Sequence, residues 1–117
     1  MANNQAETTF VIPLELMLRH RNWAVTNFGD KEEWGPVGPL RHLSKEALEA
    51  AEATDPAHRV TEFADCMFLF LDSMYRAGIS NADLVEAMAA KMPILEARTY
   101  RKAGKDQPIE HDRSIED

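Results

Sequence analysis

The sequence predicts an all-α protein with a four-helix bundle-like architecture, and three observations lead to that prediction. Apolar residues recur at helical spacing in four segments, which Gly- and Pro-containing turns separate. No segment alternates apolar and polar residues as a half-buried strand does. The 117 residues suffice for one modest core. We therefore expect a single domain at 10–100, between a polar tail at 1–9 and a charged tail at 101–117.

The first helix is predicted over about 13–28, because Pro13 suits an early helical position and Gly29 is a typical stop signal. The next segment, 29–39, is rich in Gly and Pro and is predicted to be a loop. Its length and its Trp34 make it a candidate lid over a site. The apolar stripe of the first helix consists of Leu14, Met17, Leu18 and Val25.

The second helix is predicted over about 40–53 and the third over about 56–77, with Asp55 as the N-cap of the third. The third helix is apolar on nearly every side, and such a helix must be covered on every side. One chain of this size offers few partner helices, so we expect a partner subunit to pack against it. The apolar residues of the third helix are Val60, Phe63, Ala64, Cys66, Met67, Phe68, Leu69, Phe70, Leu71, Met74 and Tyr75.

Ser80 and Asp83 form a capping-box-like start for the fourth helix. We expect this helix to reach about Tyr100, with a kink or an interruption at Pro93. The charged tail that follows lacks apolar periodicity, so we expect it to be mobile.

Charge and composition exclude several classes of partner. A net charge of −7 disfavours binding to nucleic-acid backbones and to anionic membrane surfaces. No apolar run is long enough to span a bilayer, and 1–9 lack the pattern of a signal peptide. The single cysteine, Cys66, permits no intramolecular disulfide and is expected in the core. We therefore expect a cytoplasmic protein without nucleic-acid or membrane partners, in which metal ions must neutralise any bound phosphate.

Four carboxylates form the strongest candidate site. Glu46 and Glu49 lie three residues apart on the second helix, so their side chains share a face. Glu62 and Asp65 have the same spacing on the third helix. Clustered carboxylates are costly to desolvate unless a cation binds them, and hard oxygen ligands suit Mg²⁺ or Mn²⁺. The pattern therefore predicts a magnesium-dependent phosphate site.

Other interpretations of these acids remain open. The glutamates of the second helix, taken alone, are typical of a solvated helix face, and acids are common near a helix N-terminus. A di-iron site would use Glu-x-x-His on paired helices. No Glu in the chain has a His three residues later, so oxygen ligation favours Mg²⁺ or Mn²⁺ over iron.

A basic pair is the candidate phosphate-binding group. Lys91 and Arg98 are seven residues apart and so share a helix face, although each alone would be an ordinary surface charge. Cations opposite an acidic metal site suit a metal–polyphosphate complex. Asp72 lies seven residues after Asp65 and is a candidate for the substrate site or for an ion pair with Lys91 or Arg98.

Two further residues are candidate substrate contacts. His42 lies one turn before Glu46, so it could reach the same cavity, although a structural hydrogen-bonded histidine is the more common case. Trp34 lies in the predicted loop and is a candidate for stacking on a base, whereas Trp23 is expected in the core.

Together these segments resemble the MazG-like all-α nucleoside triphosphate pyrophosphohydrolases. The resemblance covers about 23–100. The amino-acid sequence at 62–65, 71–78 and 97–100 is most similar to the phage-type dATP/dGTP diphosphohydrolase branch, MazZ. The segments that carry it are Lys45-Glu46-x-x-Glu49, Glu62-x-x-Asp65 and the stretch from Lys91 to Tyr100.

The resemblance implies a role for each motif residue. Lys91 and Arg98 would contact phosphates, and Tyr100 stands where an aromatic residue is usual. Leu95 replaces the asparagine of the family and cannot hydrogen-bond to a phosphate or a sugar. When substrate is bound, four carboxylates would hold about two or three Mg²⁺ or Mn²⁺ ions. These carboxylates are Glu46, Glu49, Glu62 and Asp65.

The implied reaction is hydrolysis of a purine deoxynucleoside triphosphate, dGTP or dATP, to the monophosphate and pyrophosphate. Glu46 or Glu49 would act as the general base. The apolar third helix predicts a homodimer or a larger assembly, and a homotetramer is what the resemblance implies. MazZ-type enzymes are associated with phage pathways that replace adenine by 2-aminoadenine, where they supply dGMP. Two alternatives stay open, a house-cleaning pyrophosphatase for pyrimidine or damaged deoxynucleotides and a non-catalytic helical oligomerisation module.

Overall fold

The computed structural model describes residues 12–100 and 103–112, and most of them lie in four α-helices. The prediction of an all-α chain with four helices is therefore confirmed. The chain divides into two compact units, Met1–Ile79 and Ser80–Asp117. The polar tail predicted at 1–9 lies outside the described residues. The helices are α1 (Leu14–Phe28), α2 (Val37–Glu52), α3 (Pro56–Arg76) and α4 (Asn81–Ala97).

Helix α1 begins and ends where the sequence predicts. It starts after Pro13, whose carbonyl accepts hydrogen bonds from the backbone N–H groups of Leu16 and Met17, both at 3.1 Å. It ends at Gly29, whose N–H donates to the carbonyl of Val25 at 2.9 Å. Gly29 has φ +93° and ψ 163°, a backbone conformation open almost only to glycine.

Helix α2 begins at Val37, three residues before the predicted start, so the interpretation of 37–39 as loop was wrong. Gly38 and Pro39 occupy the first turn of the helix, where the N–H groups have no partner within the helix and proline is tolerated. The segment between α1 and α2 is therefore 29–36, and it contains Trp34.

Helices α2 and α3 pack against each other, and the junction between them is fixed by side chains. Asp55 caps α3, as predicted, because its Oδ2 accepts from the backbone N–H of His58 at 3.0 Å. Arg59 donates from Nε and Nη2 to the carbonyl of Ala53 at 3.1 and 2.9 Å, which satisfies a free carbonyl at the end of α2. The connection between the two helices that carry the predicted carboxylates is therefore held by hydrogen bonds of Asp55 and Arg59.

The core of the described residues is small, and α3 leaves much apolar surface uncovered. Ala24, Ala53 and Met74 are the buried hydrophobic residues among those described. Val60 and Phe63 on α3 are 70% and 63% exposed, although the sequence pattern places them on an apolar helix. The prediction of Trp23 in the core was wrong, because it is 53% exposed.

In the second unit, Ser80 caps α4 through the predicted capping box with Asp83. The helix continues through Pro93 and ends at Ala97, so the predicted extension to Tyr100 was three residues too long. Beyond it, Tyr100 and His111 form an isolated antiparallel bridge.

The predicted mobility of the charged tail stays a prediction, since 101–102 and 113–117 lie outside the described residues. Among the helices that the structure describes, none is long and apolar enough to cross a membrane.

Candidate metal centre and adjoining cavity

Three of the four predicted carboxylates meet where α2 packs on α3. Glu46, Glu49 and Glu62 each offer a carboxylate oxygen, and these oxygens lie within 4.8 Å of one another. The i,i+3 spacing puts the first two on one face of α2, and packing brings that face against the start of α3. Asp65 lies one turn further along α3, is exposed and stands outside this group of three.

The cluster carries strong negative charge. A hydrogen bond to Glu46 and the charge of that residue raise the pKa of Glu49 above its ordinary value. Burial raises the pKa of the Cys66 thiol, and the charges of Glu46 and Glu62 raise it further. Cys66 is half-buried, so it belongs to the edge of the core rather than to its interior. Such crowding of like charges is what a bound cation would relieve.

Each helix also supplies a histidine to the cluster. His42 Nε2 lies 3.2 Å from Glu46 Oε1 on α2, and His58 Nε2 lies 3.0 Å from Glu62 Oε1 on α3. Both pairs have i,i+4 spacing, one helical turn. The two glutamate side chains are largely shielded from solvent, with exposures of 19% and 13%.

One carboxylate oxygen of Glu62 stands out among the described residues because it is enclosed and unpartnered. Glu62 Oε2 is enclosed and accepts no hydrogen bond from the described residues. An enclosed anionic oxygen without a donor is unfavourable unless a cation occupies the space beside it. The donor set consists of carboxylate oxygens, which suit Mg²⁺ or Mn²⁺. The residues present therefore fit a divalent metal.

A cavity of about 430 Å³ adjoins this cluster within the same unit. His42 connects the two, because it contacts Glu46 and also forms part of the cavity wall. Trp34 and Asp72 also line it, so the structure brings three predicted substrate contacts to one cavity. The complete lining is Asn27, Phe28, Trp34, Gly38, Pro39, His42, Leu69, Asp72 and Arg76.

The side chain of Arg76 forms hydrogen bonds that link α3 to the segment between α1 and α2. Its Nε donates to both carboxylate oxygens of Asp72 at 3.0 Å, so the cation partner of Asp72 is Arg76 and not the predicted Lys91 or Arg98. Its Nη1 donates to the carbonyls of Gly29 and Trp34 at 2.8 and 3.1 Å. A buried side chain of α3 therefore fixes the segment between α1 and α2 at two points, its first residue and Trp34.

Tyr75 provides a second anchor for the same segment. Its hydroxyl donates to Asp30 Oδ1 at 2.8 Å. The backbone N–H of Lys31 and this hydroxyl hold the pKa of Asp30 below its ordinary value of 3.8. The guanidinium of Arg21 lies 4.3 Å from the centre of the tyrosine ring, a cation–π contact that joins α1 to α3.

The predicted phosphate contacts lie in the second unit. Lys91 is exposed on α4. Arg98 follows the last residue of α4, with extended backbone, so it does not continue the helix face of Lys91. Arg98 Nε is buried and has no hydrogen-bond partner within the described residues.

Sequence reasoning missed His58, Phe28 and Arg76. A signal for His58 was present, because His42-x-x-x-Glu46 is repeated on the next helix as His58-x-x-x-Glu62. Arg76 has the i,i+4 spacing of a helical ion pair with Asp72, but nothing in the sequence indicates that it also bonds to the segment at 29–36.

Comparison with known proteins identifies the family of the chain. A family model described as dATP/dGTP pyrophosphohydrolase matches residues 16–116 of the chain. Comparisons with curated proteins and with solved structures gave no match. The family model spans most of the chain, and its members are nucleoside triphosphate pyrophosphohydrolases, as the carboxylate motifs indicate. The chain therefore belongs to the dATP/dGTP pyrophosphohydrolase family and is a MazG-like nucleoside triphosphate pyrophosphohydrolase.

Proposed function

We propose that this enzyme hydrolyses purine deoxynucleoside triphosphates, dGTP before dATP, to the monophosphate and pyrophosphate with Mg²⁺ or Mn²⁺. The observation that carries the proposal is the juxtaposition of three glutamates with an aromatic-walled cavity of about 430 Å³. The family model supports the chemistry, and the resemblance to the phage-type branch supports the purine.

Glu46, Glu49 and Glu62 would hold the metal, and we assign Asp65 as a further ligand because it lies one turn from Glu62. When bound, the divalent ion would neutralise phosphate charge and lower the pKa of the attacking water. The enclosed, unpartnered Glu62 Oε2 supports a cation at this place.

Glu49 is the carboxylate that we assign as the proton acceptor. Glu46 and Glu62 are each engaged by a histidine, whereas Glu49 is exposed and faces Glu46. In the proposed reaction, a water oxygen forms a bond to the α-phosphorus and gives its proton to the Glu49 oxygen that does not hold the metal. The bond from that phosphorus to the oxygen bridging the α- and β-phosphates breaks, and pyrophosphate leaves with that oxygen. Lys91 and Arg98 would hold the phosphates, as the family resemblance implies.

The cavity would take the base. Phe28 and Trp34 supply aromatic surface, and Trp34 is held by the bonds from Arg76. A volume of about 430 Å³ lies within the range of small-molecule sites. His42 lines the cavity and contacts Glu46, so a nucleotide with its base in the cavity would place its phosphates toward the metal.

We further propose that the enzyme is a homodimer or homotetramer in which a second copy covers the exposed apolar surface of α3. Val60 and Phe63 expose most of their surface in the single chain. Exposed apolar patches of this kind mark interfaces more often than free surface.

The test combines phosphorus NMR with a Glu62→Gln variant. Wild-type enzyme with dGTP and Mg²⁺ is expected to give dGMP and a single pyrophosphate signal. Glu62→Gln keeps the side-chain shape and removes the charge, so activity should fall by about a hundredfold or more while circular dichroism stays unchanged. Release of inorganic phosphate or of a nucleoside diphosphate would contradict the cleavage site, and a variant with most of its activity would contradict the metal assignment.

A substrate panel addresses the alternative of a house-cleaning pyrophosphatase. Faster turnover of dCTP or dUTP than of dGTP at equal concentration would overturn the purine assignment and leave the reaction intact. The family match favours an enzyme over the non-catalytic oligomerisation module.

A further inference from the structure

The two histidines of the site are arranged alike on the two helices. In each helix a histidine precedes the first glutamate of the motif by one turn, as His42 before Glu46 and His58 before Glu62. In each pair Nε2 of the histidine contacts Oε1 of the glutamate. The carboxylates themselves are largely shielded from solvent, whereas the histidines are 55% and 60% exposed.

The contact with His58 engages one carboxylate oxygen of Glu62 and leaves the other one free of it. His58 Nε2 lies 3.0 Å from Glu62 Oε1, and the other oxygen, Oε2, is enclosed without a hydrogen-bond partner among the described residues. A carboxylate held at one oxygen cannot rotate freely about its terminal bond. The contact at Oε1 therefore leaves Oε2 as the oxygen available to a cation.

Exposed ion pairs of this kind contribute little to stability, typically about 0–1 kcal/mol. The effect of such a contact on metal binding is larger. Mutation of residues that orient metal ligands commonly changes metal affinity by about 10–100-fold. The local backbone does not depend on the imidazole, because the N–H that Asp55 caps is the backbone group of residue 58.

We propose that His58 and His42 are positioning residues that orient Glu62 and Glu46 for metal binding. The inference rests on the proposed function, in which those glutamates hold the metal. It assigns His58 a role that the carboxylate motifs do not include, and it gives His42 a role in addition to its place in the cavity wall.

The experiment is a titration of the full-length chain with Mn²⁺ alone. Calorimetry and the EPR signal of free Mn²⁺ both report the Mn²⁺ affinity. Because no nucleotide is present, nucleotide binding in the cavity does not affect the measured Mn²⁺ affinity. His58→Ala and His42→Ala are each expected to weaken Mn²⁺ binding by about tenfold. His58→Gln should restore affinity to within about threefold of wild type, because the glutamine amide can donate to a carboxylate one turn away.

Thr61→Ala is the matched control. Thr61 is exposed on α3 beside Glu62, and its hydroxyl donates to the backbone carbonyl of Ala57 on the same helix. Its removal should leave Mn²⁺ affinity unchanged. Circular dichroism is expected to be the same for all variants, since alanine and glutamine favour helix at least as well as histidine.

The outcomes separate the inference from the proposed function. Unchanged Mn²⁺ affinity in His58→Ala, with wild type binding normally, would overturn the positioning role and leave the proposed function standing. Equal losses in His58→Ala and His58→Gln would also overturn it, because a polar contact from residue 58 to Glu62 would then not be the cause. Wild-type enzyme that cleaves dGTP without divalent metal and binds no Mn²⁺ would remove the metal site and the inference together.

Discussion

Replacing Arg76 by methionine is expected to destabilise the enzyme strongly. The guanidinium is 1% exposed and donates to three groups, the carboxylate of Asp72 and the carbonyls of Gly29 and Trp34. Methionine fills a similar volume but donates no hydrogen bond. The variant would leave an 8%-exposed carboxylate without its cation and two carbonyls without their donor.

The size of the effect follows from the burial of the pair. Removal of one partner from a buried ion pair typically costs about 3–5 kcal/mol, because the remaining charge stays desolvated and unpaired. Small domains have about 5–15 kcal/mol of total stability, so the variant should remain folded with a greatly reduced margin. Adding Asp72→Asn removes the unpaired charge, and this double variant should recover a part of the loss.

Urea denaturation followed by circular dichroism measures the free energy of unfolding, at matched protein concentration. The control is Arg19→Met, the same chemical change at an exposed position of α1, where the expected change is within about 0.5 kcal/mol. A loss below about 1 kcal/mol in Arg76→Met would refute the reasoning, as would a double variant less stable than the single one.

Three further variants test other contacts. Gly29→Ala should cost about 1–3 kcal/mol in urea denaturation, because φ is +93° and the new Cβ would lie 2.8 Å from Trp34 Cδ1; an unchanged midpoint would contradict this. Tyr75→Phe should raise the pKa of Asp30 in carboxyl NMR titrations without reaching 3.8, since the Lys31 N–H remains. The stabilisation from Asp30 is present above its unfolded pKa and lost as pH falls through its folded pKa, so this variant should lose less stability on acidification. Phe63→Ser should lower the oligomeric mass in light scattering, and a monomeric wild type at micromolar concentration would refute the proposed interface.

The sequence determined the local features of this protein, because short-range chemistry decides them. Asp55 and Ser80 start helices since their side chains accept from nearby backbone N–H groups. Gly29 ends a helix because other residues do not adopt its backbone conformation. The i,i+3 spacing of Glu46 and Glu49 fixed a shared helix face before any packing was known. The helix boundaries followed from the sequence less closely, because α2 starts at Val37, three residues before its predicted start.

Only the tertiary structure decided which of these residues meet. It brings Glu62 to the glutamates of α2 and leaves Asp65 outside the cluster, because contacts between helices depend on how the two surfaces pack. It also joins Arg76 to carbonyls more than 40 residues away in sequence, at Gly29 and Trp34. Sequence spacing describes neighbours on one helix, whereas a cavity wall depends on distances between elements, and those are set by packing of the whole unit.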